Sequence, residues 1–313
     1  MANENNEIIA KAAQAISTGT LSGGGYLNPE QARRFIQQTF EATNLGPLVR
    51  HEMRTAKTGE IDKIGIDSRI IRKKTENTDD GYRADVKTSK IEYATTAVRL
   101  PWEITEETLR ENIEGQNFES IVTNLMTQQM GRDTEDLYLN GDTSTASSDP
   151  DYDFLKINDG WIKQLTNGSH VLDASQAPYS GNMSLNLFYA AMQALPNKFN
   201  NGTLRWLMSP KRKQDWEKYL LNQVISSGGA VPESVYQSPA GIPAVACPSL
   251  SDSKIILTNP KNLIVVNTYG IQIRKTVEGK EAIMQDKRFY VIHFDYDPII
   301  EELDAACIIT GLS

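Results

Sequence analysis

Residues that carry chemistry are scarce in this chain of 313 residues, which has two cysteines and three histidines. Cys247 and Cys307 lie far apart in apolar, strand-like stretches, VACP and AACIIT, and lack the CxxC spacing that a thiolate zinc site needs. Their setting suits buried thiols in a reducing, cytosolic compartment better than a disulfide framework. Long hydrophobic runs are missing as well: stretches such as Leu263 to Val266 fall far short of the roughly 20 residues that span a bilayer. The opening MANENNEIIA places Glu4 and Glu7 where a secretory leader would be basic, so neither export nor a membrane partner is expected. Positive charge is in deficit too. With 32 Lys and Arg against 40 Asp and Glu the net charge is −8, which repels nucleic acid and anionic lipid.

Motifs for catalysis are equally thin. SGGGYLNP and SSGGAVP have glycines but no following Lys to hold a phosphate, and read as flexible joints. His51, His170 and His293 stand outside any nucleophile elbow, and His293, inside FYVIHFDYD, reads as a structural strand residue. Asp149, Asp151 and Asp153 are spaced like the first ligands of a calcium loop. Counting from Asp149, however, the sixth and twelfth positions are Phe154 and Gly160, where that loop needs Gly and a bidentate Glu. The segment therefore reads as an acidic linker. No catalytic, metal or cofactor-binding residue is assigned, and no cofactor is expected. The basic cluster Arg69, Arg72, Lys73 and Lys74 has only Tyr82 nearby for base stacking, which favours a solvated tip or a salt-bridging contact over a nucleic-acid site.

What the sequence does contain is an ordered series of elements. Residues 4–16 read as a short helix on a flexible arm. Asn28 and Pro29 then cap a helix to about Ala42. From Leu48 to Leu100 the strand-like pieces LVRHEMRT, EIDKIGID and VKTSKIEYATTAVRL flank a polar middle, which predicts a long β-hairpin with a loose tip. Between Arg50 and Glu92 there are 11 basic and 9 acidic residues, so this segment is positive while the remainder of the chain is strongly negative. Limbs of about 20 residues could reach roughly 60 Å with too few apolar side chains for a core, so the arm should lie on another subunit. A long helix is predicted from Gln116 to Tyr138, with Phe118, Ile121, Val122, Leu125, Met126 and Met130 at helical spacing and Asn140-Gly141 as its stop. DTSTASSDPDYDF marks a boundary. Beyond it, helices at Leu185 to Leu195 and Pro210 to Leu221 alternate with strands LRWLMS, IPAVAC, KIILT and NLIVVN, then two long β runs, GIQIRKTV and FYVIHFDYDPIIEELDAACIIT. The class is α+β.

This order resembles the major capsid protein of tailed bacteriophages, the Hong Kong 97 type. GGGYLNPEQARRFIQQTFEATNLGPLVR is similar to the start of that family's shell-forming region, ETLRENIEGQNFESIVTNLMTQQMGRDTEDLYLNGDT to its spine helix, GIPAVACPSL to an apical turn and strand, and YVIHFDYDPIIEELDAACIITG to its closing strands. The resemblance implies an N-terminal arm (1–25), the start of a peripheral domain (26–49), an extended loop (50–96), the peripheral domain with the spine helix (97–157), an axial domain (158–269), a peripheral return (270–298) and an axial closing strand (299–313). It further implies a homo-oligomer of hexamers and pentamers closing an icosahedral shell, assembled in the bacterial cytoplasm around packaged double-stranded DNA. A separate scaffolding protein and a portal protein are the other implied partners. Some relatives crosslink a loop Lys to an Asn next door, but the segment where that Asn is sought reads AIMQDKRF, with Gln285, so no crosslink is expected.

On this reading the protein is a structural, non-enzymatic subunit. The intersubunit contacts expected are Arg69, Arg72, Lys73 and Lys74 of the loop against Glu103, Glu106, Glu107 and Glu111 of a neighbour. The alternatives are an encapsulin-like compartment shell, a hydrolase built on the Asp149 to Asp153 carboxylates, and a nucleic-acid-binding module using the basic hairpin.

Overall fold

The structure, a computed structural model, describes residues 43–66, 69–73, 76, 81–111, 118–227 and 238–313. The arm and the helices predicted over residues 4–16 and 28–42 lie outside the described residues, as does Gln116.

Two sheets and a separate hairpin organise the chain. The first sheet has strand order β1 (Arg50–Met53), β9 (Leu263–Thr276), β10 (Lys287–Ile300), β4 (Thr96–Thr105). β1 runs parallel to β9, and the other pairs are antiparallel. The second sheet has order β5 (His170–Asp173), β11 (Ala306–Thr310), β8 (Ile255–Thr258), β6 (Arg205–Met208), β7 (Ala244–Ala246). β2 (Thr58–Gly65) and β3 (Lys87–Ala94) pair only with each other.

Among the described residues the α-helices are α1 (Glu106–Glu111), α2 (Phe118–Asn140), α3 (Tyr152–Leu155), α4 (Trp161–Gly168), α5 (Leu185–Ala194), α6 (Pro210–Ser227) and α7 (Lys280–Gln285). α2 is the long helix the periodicity predicts. Its second half is buried through Met130, Leu137, Tyr138 and Leu139, against Trp161 of α4 and Tyr296 of β10. The Asn140-Gly141 stop works by close approach: a Cβ on Gly141 would sit 2.5 Å from the Asn158 carbonyl oxygen and 2.8 Å from that of Leu137. On the outer face of the second sheet, α5 and α6 bring Phe188 edge-on to Trp206 and Trp216, with ring centroids 4.8 and 5.0 Å away.

Three expectations change. Arg50–Met53 belongs to the core sheet, where its amides and carbonyls find β9, so the hairpin begins only at Thr58. NLIVVN and GIQIRKTV form one continuous strand, whereas the last long run breaks after Ile300 into strands of different sheets. That corner is held by Asn262, whose side chain accepts the Glu302 N–H at 2.9 Å and donates to the Glu302 carbonyl at 2.9 Å. Finally, α4 and β5 carry no expectation from sequence. Their apolar residues are few, and only packing of Trp161, Ile162 and Leu165 makes α4 evident.

Candidate assembly surfaces

The hairpin has an inner and an outer face because strand side chains alternate. Ile61 stands opposite Ile91, and together with Tyr93 they pack on Ile264, Val266 and Ile299 of the first sheet. Gly59 lets Tyr93 lie flat, since a Cβ there would meet the phenolic oxygen at 2.6 Å. Among the described residues only the root is docked. Past Gly65 and Lys87 the described residues leave the ladder, and Ile64, Ile66 and Ile71 are 76%, 52% and 93% exposed. Apolar side chains held in water along an arm with no core of its own mark a surface that seeks a partner. Arg69, Arg72 and Lys73 are exposed on the same arm, with the Arg72 guanidinium 4.1 Å from the Tyr82 ring centroid. Lys74 lies outside the described residues.

The acidic half of the expected contact is partly occupied inside the chain. Glu103 pairs with Lys287 at 2.7 Å. Glu106 receives Arg288 through both carboxylate oxygens, the longer contact being 3.1 Å. Glu119, at the start of α2, takes Lys275 at 2.5 Å and Arg288 at 2.8 Å. Burial pushes the Glu119 carboxyl up, but Lys275, Tyr290 and Arg288 outweigh it and leave it below the usual carboxylate range. Glu107 is exposed and available to a neighbour. Glu111 ends α1, and its side chain lies outside the described residues. Sequence reasoning missed Lys275, Arg288, Lys287 and Glu119 because the partners stand 156 to 184 residues apart. No spacing rule reaches that far.

The residues considered for chemistry do not converge. His51, on β1, has Nε2 at 2.8 Å from the Gly46 carbonyl oxygen, and burial lowers its pKa. His170 and His293 sit on β5 and β10. Burial pushes the Cys307 thiol up to about 12 and the Cys247 thiol higher still, so neither is a poised nucleophile. Asp149 accepts the Asp151 backbone N–H at 2.9 Å, a turn-forming use of the carboxylate. Among the described residues no three His, Cys, Asp or Glu side chains are grouped to hold a metal ion, and no helix is long and apolar enough to cross a membrane. A cleft of about 710 Å³ beside Trp102, Phe289 and Tyr290 is lined mainly by apolar groups.

No protein-family model matches the chain. It is 29% identical over 318 residues to a Bacillus subtilis (strain 168) protein named as a prophage capsid protein, YqbE, covering 96% of each. Among solved structures it is similar to a chain of the satellite phage P4 procapsid that includes the size determination (Sid) protein, with TM-score 0.64, 14% identity, and coverage of 89% of this chain and 98% of that one. It is also similar to the capsid of an empty GTA particle, with TM-score 0.60 and 10% identity over 99% of both chains. A virus-like particle from Pyrococcus furiosus matches at TM-score 0.53 and 13% identity, over 90% of this chain and 98% of the other.

Proposed function

This chain has the Hong Kong 97-type capsid fold, and from that premise we propose that it is the shell-forming subunit of a phage or prophage particle. Its activity is assembly and not catalysis. The observation that carries this is the end-to-end match, 96% of each chain, to the Bacillus subtilis prophage capsid protein. A shared fold alone would not separate a phage shell from another container, whereas an alignment without large gaps at either end ties the chain to a prophage relative.

The finer picture rests on physical support. Subunits join as hexamers and pentamers, and the hairpin of each lies over a neighbour, because its exposed isoleucines and basic side chains have little to bury against at home. Charge contacts from Arg69, Arg72, Lys73 and Lys74 go to Glu107 and Glu111, and to Glu103 and Glu106 as second partners, since their first cations are Lys287 and Arg288. Exposed pairs contribute about 0 to 1 kcal/mol each, so repetition over many copies gives the specificity. A net charge of −8 suits a wall that encloses double-stranded DNA without adhering to it. A scaffolding protein and a portal complete the assembly in the host cytoplasm.

The test is size-exclusion chromatography with light scattering on purified protein, alone and co-expressed with the neighbouring morphogenesis genes, followed by negative-stain microscopy. Rings, tubes or closed shells are expected. A monomer under both conditions would end the proposal. Contents separate the second reading: a virus-like particle from Pyrococcus furiosus is similar in fold, and a compartment shell would hold protein cargo where a phage shell holds DNA.

A further inference from the structure

One side of β10 carries a row of groups that grip the hairpin root. Asp295 meets Lys57 at 3.3 Å. Asp297 accepts the Ala94 backbone N–H at 2.8 Å. Ile299 lies under Ile61 and Tyr93. Just past the strand, the Glu301 carbonyl accepts Lys63 at 2.7 Å, and Lys63 also pairs with Glu302. Alternation along a strand puts residues two apart on the same face, so one strand supplies both the polar and the apolar grip. Thr95 is the joint: it belongs to neither β3 nor β4, its N–H donates to the Lys57 carbonyl at 2.8 Å, and its hydroxyl is 2.8 Å from that of Thr268.

We propose that β2 and β3 form a hinged arm latched to β10 by Asp297, and that uptake of a proton by this carboxylate favours the docked position. The inference goes beyond shell formation and concerns the single subunit. Asp297 lines a hollow of about 520 Å³ with Glu60, Glu92 and Tyr93 of the hairpin. Glu60 is paired with Lys90 at 2.5 Å, and the neighbouring Asp295 with Lys57. Asp297 has a backbone amide as its hydrogen-bond partner. Burial pushes its carboxyl up to about 6, against the opposing pull of the Ala94 amide. The sign follows by linkage. A docked state that raises the pKa binds more protons than an undocked one, so docking gains as pH falls through about 6 and weakens as pH rises through it. The neutral acid still offers its carbonyl oxygen to Ala94, so the hydrogen bond survives protonation while the buried charge does not. The apolar pad of Ile61, Ile91 and Tyr93 holds the root at either pH, and the proton on Asp297 adds to that hold.

Hydrogen–deuterium exchange of the purified full-length chain between pH 5.0 and 7.5, corrected for intrinsic exchange rates, reads the latch in peptides covering residues 57–66 and 87–96. The wild type should show about tenfold greater protection at the acid end, the equivalent of one unit of differential proton binding. Asp297→Asn should be flat across the range, and Glu92→Gln and Asp295→Asn should retain the slope. A flat wild-type profile, a slope that persists in Asp297→Asn, or one that vanishes in either control would overturn the proposal. The two controls decide it without Asp297→Asn if that variant does not fold.

Discussion

Replacing Arg288 by alanine tests how the long helix is joined to the first sheet. Arg288 bridges Glu106 and Glu119, with its side chain 27% exposed and the two carboxylates 20% and 17% exposed. Removing it leaves Glu119 with Lys275 at 2.5 Å but takes the bidentate guanidinium from Glu106. Breaking a fully buried pair costs about 3–5 kcal/mol. Residual exposure lets water recover part of that, which brings the expectation to about 2 kcal/mol. Urea unfolding monitored by circular dichroism measures it, with the slope m unchanged if only stability has moved. The Glu106→Gln variant and the double variant complete a cycle. A coupling energy of about 1 kcal/mol or more is expected, because these side chains touch. An Arg288→Ala variant within about 0.5 kcal/mol of wild type, with no coupling to Glu106, would refute the claim that this network anchors the α1–α2 region.

Further expectations follow the same physics. Because Glu119 is held below its ordinary pKa, its contribution is present above the unfolded carboxylate value and is lost as pH falls through the folded one; the unfolding free energy should drop in acid below about pH 4.5, less steeply in Arg288→Ala, as urea titrations at stepped pH would show. Phe188→Ala removes the ring wedged between Trp206 and Trp216 and should cost about 3–5 kcal/mol in the same assay; a loss under 1 kcal/mol would mean that this cluster repacks. Ile71→Asp, and separately charge reversal at Lys73 and Lys74, should leave the unfolding midpoint of the isolated chain in place while blocking or slowing particle formation seen by electron microscopy. Unchanged particles would remove those residues from the assembly surface.

How much of this was readable in the sequence depends on the range of the interaction involved. The long helix, α5, α6 and the short strands β6, β7 and β8 announce themselves because hydrophobic periodicity, capping residues and glycine stops act within a few residues. The arm's character was legible for the same reason: a polar, charge-rich stretch between strand-like pieces cannot bury enough apolar surface to stand alone. Order of elements along the chain carried the resemblance to a capsid fold, since order is a one-dimensional property. What the sequence could not decide was partnership. Arg50–Met53 looks like a hairpin limb until β9, more than 200 residues later, offers it a parallel edge. Glu103 and Glu106 look free for a neighbour until Lys287 and Arg288 arrive at the start of β10. Asp297 looks like one more exposed carboxylate until the hairpin root folds beside it and takes away part of its water. Charge state, burial and sheet edge are set by which distant residues meet, and only the tertiary structure brings them together.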